Sequence, residues 1–213
     1  MRVFYTQGLQ RSGTNYLQTL VEKNFKDVRL NRDFPSEFWK RAIDMPESQY
    51  ICPTTFLFVV HKNPYTWIES LFKIDIGWKQ KQTTYDASVG PEEHMIDGWN
   101  IVSLAKTYKH FHNTWIWKLD KRFHHRSLDV RYEDLLLTDD RNMILSEIQK
   151  RFGPEKRGRW INPSIVPMSG SFTNKMQDYY LKGIPEKLSD FHIDLINETI
   201  GEDKIRSLGY EVL

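Results

Sequence analysis

The sequence predicts a doubly wound α/β fold, a largely parallel central sheet flanked by helices. Three observations predict it. Apolar runs of strand length alternate with segments of helical periodicity along the chain. The run Thr55-Phe56-Leu57-Phe58-Val59-Val60 is continuous, aromatic and β-branched, as in a strand covered on both faces. The first apolar run, Val3-Phe4-Tyr5, passes through a glycine turn straight into a helix N-terminus.

Taken in order, the first strand begins almost at Met1 and a helix follows over Asn15 to Asn24. Lys26 to Leu30 is a short strand. Asn31 to Arg41 is mixed: Pro35 and Ser36 mark a turn, and Phe38-Trp39-Lys40 reads either as a strand end or as a helix start. Thr55 to Val60 is the central strand, stopped by Pro64, and Tyr65 to Lys73 is helical. Residues 74–98 are polar and turn-rich, with Gly77, Gly90 and Pro91, and read as a mobile loop or lid. Trp99 to Arg122 places Ile101, Leu104, Ala105, Tyr108, Phe111, Trp115 and Leu119 at helical spacing, which makes them core residues. Ser127 to Tyr132 is a third strand. Asp140 to Phe152 is a helix stopped by Gly153-Pro154. Residues 155–175 are basic and loop-like, Leu188 to Ile200 is helical, and SLGYEVL closes the chain.

The 213 residues read as one domain, 1–213, long enough to bury a core without staples. Hydrophobic residues at 39% and charged residues at 27% fit a soluble globular chain. A net charge of +2 is too small to argue for a nucleic-acid partner, while a pI near 8.5 leaves room for a local basic site. The single cysteine, Cys52, excludes an intrachain disulfide and a thiolate metal cluster, and suits a reducing, cytoplasmic setting. It reads as a packed, inert residue. No stretch reaches the ~18 apolar residues that a membrane span needs. Arg2, Gly8 and Arg11 interrupt any apolar leader.

The chemistry concentrates in Gln7 to Leu20, QGLQRSGTNYLQTL. A strand, a tight turn and a helix N-terminus bring backbone N–H groups and the positive end of a helix dipole to one point, where an anion fits. Gly8 and Gly13 let the backbone turn and approach a ligand. Ser12, Thr14 and Asn15 add polar side chains, and Arg11 adds a planar permanent cation. The Gly8-x4-Gly13 spacing is P-loop-like, but Thr14-Asn15 follows where a Walker loop has Lys-Ser/Thr. A second basic element, HKNPYTWIES, sets Lys62 at the end of the central strand and Ser70 in the helix behind it. Ligands of open parallel sheets sit beyond the carboxyl ends of the strands. Two anion sites on neighbouring strands therefore suggest a ligand with two separated phosphates. His61 alternates to the other side of the strand and reads as structural. The central strand ends in His61-Lys62, without the aspartate that holds magnesium in Walker-type sites. The histidines His110/His112 and His124/His125 lack the i, i+4 spacing of a metal pair, so the expected site is metal-free.

QRSGTNYL, HKNPYTWIES and VRYEDLL, in that order, resemble the sulfotransferases that use 3′-phosphoadenosine 5′-phosphosulfate (PAPS). QRSGTNYL is similar to that family's 5′-phosphosulfate loop, with Arg11 on its basic residue, Thr14 on its first threonine and Tyr16 on the aromatic packed near adenine. HKNPYTWIES is similar to its 3′-phosphate motif, with Lys62 in place of the usual arginine and Ser70 on its serine. VRYEDLL puts Tyr132 on the tyrosine near adenine, and SFTNKMQDYYL and SLGYE are similar to tail segments of bacterial-type members. The resemblance implies PAPS as donor, cofactor contacts from Arg11, Ser12, Gly13, Thr14, Asn15, Tyr16, Lys62, Ser70 and Tyr132, and a contact from Lys175 to the 3′-phosphate. It implies sulfuryl transfer to a small-molecule acceptor, a hydroxyl or an amine, with Arg11 among the catalytic groups. The family's usual histidine base has no counterpart here. Glu37 is the first candidate base and Lys40 the second, with Lys40 alternatively steadying the transferring sulfonate. Two other readings stay open: a non-catalytic nucleotide-binding module on the same fold, and a P-loop kinase acting on a small molecule.

Overall fold

The computed structural model describes residues 2–9, 11–30, 55–73, 89–114, 126–163 and 174–213. Glu37, Lys40, Cys52 and most of the expected 74–98 loop lie outside them, as does the C-terminal part of the helix expected to run to Arg122.

Strand β1, Arg2–Gly8, leads into helix α1, Thr14–Asn24, and then β2, Val28–Leu30. Strand β3, Thr55–His61, is followed by α2, Pro64–Leu71. A short 3₁₀ turn precedes the two-residue strands β4, Met95–Ile96, and β5, Trp99–Asn100. Helix α3, Ile101–His112, β6, Ser127–Arg131, and α4, Thr138–Phe152, come next. Helices α5, Asn174–Lys182, α6, Asp190–Ile200, and α7, Glu202–Ser207, complete the chain.

The main sheet has the order β2-β1-β3-β6, and every pairing in it is parallel. Its side chains alternate between two cores. Phe4, Phe58, Val60 and Val130 pack with Leu17, Leu20 and Val21 of α1 and with Leu145, Ile148 and Phe152 of α4. The rings of Phe4 and Phe58 stack at 5.1 Å. On the opposite face, Leu57 and Val59 pack with Ile68 of α2, Leu104 and Tyr108 of α3 and Ile196 of α6. Helices therefore cover both faces, which is why the central strand reads as an unbroken apolar run. Among the described strands, β1 connects outward to β2 while β6 lies on the far side of β3. The strand order thus reverses between β1 and β3.

Local chemistry sets the helix ends. Asn63 caps α2, its Oδ1 accepting from the Tyr65 and Thr66 N–H groups at 3.0 and 3.3 Å, with Pro64 opening the helix. Gly153, at φ 63°, terminates α4.

Two expectations need correction, and one helix lies beyond them. The helix expected from Trp99 starts at Ile101, because Asn100 caps it through the Ser103 N–H at 2.9 Å. Trp99 and Asn100 instead form a hairpin with β4, turned at Asp97 and Gly98, both at positive φ, as an Asp-Gly turn prefers. The loop expected through Lys175 gives way to α5 at Asn174. Helix α7 was not expected; its charged Glu202 and Arg206 pair across one turn at 2.9 Å. No helix among the described residues is long and apolar enough to cross a membrane.

Candidate functional site

The reversal of strand order puts the carboxyl ends of β1 and β3 side by side, with Gly8 in register with Val60. In open α/β sheets this is where ligands bind. Each of the two strands runs on into one of the basic elements.

Beyond β1, the Ser12 N–H and hydroxyl both donate to the Leu9 carbonyl, at 3.1 and 2.6 Å, closing a tight turn. The Ser12 hydroxyl is thereby committed to the loop itself. Arg11 sits at φ 69°, an uncommon conformation for a side-chain-bearing residue, and Gly13 at φ 89°. Gly13 is the N-cap of α1, and no side chain caps that helix. The positive end of the α1 dipole is therefore left to other partners. Thr14 is buried at the first position of the helix and Asn15 beside it is exposed. Tyr16 belongs to the α1 side of the core, and its hydroxyl donates to the Pro163 carbonyl at 2.9 Å.

Beyond β3, Lys62 is only 2% exposed. Its ammonium lies 3.8 Å from the centre of the Tyr180 ring and 5.1 Å from that of Tyr132. Burial pulls the Lys62 pKa down to about 7; the Glu133 carboxylate opposes the shift, and the positive charges of Arg11 and Lys73 add to it. Arg11 also acts on Tyr132 and Tyr180, whose hydroxyl pKa values are raised chiefly by burial. Arg11 and Lys62 thus share one electrostatic neighbourhood, with two tyrosine rings beside the lysine.

Tyr132 joins the two loops. Its ring packs against Gly13 so closely that a Cβ there would meet Cδ2 at 2.3 Å. Its N–H donates to the His61 carbonyl at 2.7 Å, continuing the β3 to β6 pairing past the sheet. Glu133 next to it is buried, and that burial raises its pKa. Its carboxylate accepts from the Asn63 N–H and from the Tyr210 hydroxyl, both at 3.0 Å. The Tyr210 hydroxyl also lies 3.1 Å from His61 Nδ1. His61 is buried and held neutral, its pKa lowered to about 3 by burial and then by Arg131. This network fixes the Lys62 to Asn63 corner from below.

Ser70 is buried in α2 and donates to the Trp67 carbonyl at 2.6 Å. Ser70 and Lys175 line one cleft, with Tyr180 on its wall. Arg11, Lys62, Tyr132 and Tyr180 therefore gather at the strand ends, with Ser70 and Lys175 behind Tyr180. Tyr16 points into the core, and Glu37 and Lys40 fall outside the described residues. Sequence reasoning missed Tyr180, Glu133 and Tyr210 as parts of the site. The adjacent tyrosines of DYYL followed by Gly183 are a local signal for α5, and nothing local announces that it returns to Lys62 beyond the end of β3.

A further feature sits under the turn. Gln7 is fully buried near the end of β1, and neither atom of its amide has a hydrogen-bond partner among the described residues. Among the described residues no three His, Cys, Asp or Glu side chains converge as metal ligands. No protein-family model, curated protein or solved structure matches this chain.

Proposed function

We propose that the chain is a PAPS-dependent sulfotransferase on a P-loop-like, doubly wound fold. The observation that carries the reading is the pairing of two cationic elements at one reversal of strand order: the Arg11 turn with its uncapped helix end, and Lys62 on the adjacent strand. The donor set suits phosphate and sulfonate oxygens. It combines a guanidinium, a helix N-terminus and an ammonium, and such groups bind anions at fixed positions. The order of QRSGTNYL, HKNPYTWIES and VRYEDLL along the chain supports the same reading.

The donor supplies an activated sulfonate. The acceptor oxygen forms a new O–S bond as the bond from sulfur to the bridging phosphate oxygen breaks. That oxygen leaves with the electron pair, and the acceptor proton passes to a base. Arg11 and the α1 N-terminus stand where negative charge on the departing 5′-phosphate is stabilised. Lys62 serves the 3′-phosphate, and a ligand reaching it displaces the Tyr180 ring from the ammonium. Tyr132 holds the two loops at a fixed separation through Gly13. Glu37 and Lys40 remain the proposed bases.

Two measurements test this. Adenosine 3′,5′-bisphosphate is titrated against the protein, and PAPS is incubated with panels of phenols, sugars and amines while products are followed by mass spectrometry. Tight bisphosphate binding with an 80-dalton gain on some acceptor (roughly the mass of one transferred sulfonate, from the O–S bond change written above) is expected. Absence of bisphosphate binding would end the proposal.

A further inference from the structure

The cleft between α2 and α5 has a character of its own. Lys73 follows the end of α2, while Lys175 and Met176 lie in the first turn of α5; all three line the cleft together with Phe72 and Tyr179. Its volume is about 200 Å³. A dry cavity of roughly 150 Å³ accepts benzene, so the cleft has room for one substituted ring and too little for a nucleotide.

The cleft is preformed. The Glu69 carboxylate accepts from the Tyr179 hydroxyl and from the Glu186 and Lys187 N–H groups, the Glu186 bond measuring 3.0 Å. These bonds tie α2 to α5 and to the segment after it, and they occupy the carboxylate so that it is not an open acceptor. Lys187 is engaged by Asp97 at 2.9 Å. The Ser70 hydroxyl is engaged by the Trp67 carbonyl. Lys73 and Lys175 are exposed and enter no ion pair with a described residue. Two lysines thus face a small space walled by three aromatic rings, Phe72, Tyr179 and Tyr180, and the Met176 thioether, with Glu186 and Lys187 also in its lining. Apolar walls with a few polar groups at the rim are the usual make-up of a small-molecule site.

We infer that this cleft binds a small aromatic anion, a single ring carrying a phosphate, sulfate or carboxylate, with Lys73 and Lys175 gripping the charged group and Phe72, Met176 and Tyr179 packing the ring. The inference needs neither Arg11 nor Lys62, but it takes Lys175 for the aryl anion, where the resemblance gives that lysine to the 3′-phosphate of the nucleotide.

The test uses 4-nitrophenyl phosphate, with inorganic phosphate and 4-nitrophenol as its two halves, titrated calorimetrically into the full chain. Ring packing of this kind is worth about tenfold in affinity. The expected result is 4-nitrophenyl phosphate binding at least about tenfold tighter than either half. Each of Lys73→Ala and Lys175→Ala weakens it by about threefold to fivefold, as for an exposed ion pair, and Lys150→Ala on the exposed face of α4 leaves it unchanged. All three lysines are exposed, so a thermal midpoint equal to the parent's is expected and is measured first. Equal affinity for inorganic phosphate, or unchanged binding in the Lys73/Lys175 double variant, overturns the inference. Adenosine 3′,5′-bisphosphate titrated against the same proteins reports separately on the nucleotide reading: its failure beside retained aryl phosphate binding counts against that reading alone.

Discussion

Lys62 should make nucleotide binding take up a proton. In the free protein its ammonium is buried under two tyrosine rings, and its pKa falls to about 7. A phosphate in contact with it favours the charged form and returns the pKa toward the ordinary lysine value. At pH 7 the free lysine is therefore about half protonated, and at pH 8 about one tenth. Binding of adenosine 3′,5′-bisphosphate should accordingly take up ~0.5 proton at pH 7 and ~0.9 at pH 8. The affinity should fall by about fivefold from pH 7 to 8 and by about ninefold from pH 8 to 9. The ligand's own second ionisation, near pH 6, is complete across this range. Calorimetry in buffers of different ionisation enthalpy counts the protons directly. Lys62→Arg, permanently charged, should bind with no uptake and a flat profile above pH 7. Affinity that stays flat from pH 7 to 9 in the parent protein, or the same slope in Lys62→Met, would refute the assignment of Lys62 to a phosphate.

The remaining predictions concern stability. Gly13→Ala forces a side chain into the left-handed region and into the Tyr132 ring, so unfolding in urea should lose about 1–3 kcal/mol, with bisphosphate affinity falling alongside. Gln7→Met removes a buried amide that has no partner among the described residues; a gain of about 1–3 kcal/mol in unfolding free energy is expected from urea denaturation, and a loss would show that the amide has a partner in the folded chain. Tyr210→Phe strips a hydrogen bond from the buried Glu133 carboxylate and should cost about 1.5–3 kcal/mol by the same assay. His61 has a lowered folded pKa, so the unfolded chain binds more protons between about pH 3 and the ordinary histidine value of 6.5. The His61 contribution should be full above that value and fall by about 1.4 kcal/mol per pH unit on acidification below it; buried His112, its pKa likewise lowered, adds to the slope, and His61→Leu removes the His61 part.

Much of the fold is legible because its causes are local. An unbroken apolar run reports a strand covered on both faces, and the alternation of Phe4 with Tyr5 and of Phe58 with Val59 sorts the side chains between two cores. Pro64 and Gly153 announce helix ends where they act. The glycine turn and the lysine at a strand end are equally local, so Arg11, Gly13 and Lys62 stand out as a candidate site from sequence. Where local signals compete, reading fails. Trp99 fits the helical period of the segment after it, but the Asp97-Gly98 turn and the Asn100 cap claim it for a hairpin.

The sequence by itself determined the main-sheet strands β1, β2, β3 and β6, the helices packed on them and the two basic loops, because these depend on side-chain periodicity and turn residues acting over a turn or so of chain. Only the tertiary structure decided that β1 and β3 are neighbours at a reversal of order, and that α5 brings Tyr180 onto Lys62. It likewise decided that Glu69 ties to Tyr179 across a separation of 110 residues. Such contacts follow from which faces bury one another across the whole chain. No short window of sequence records that choice.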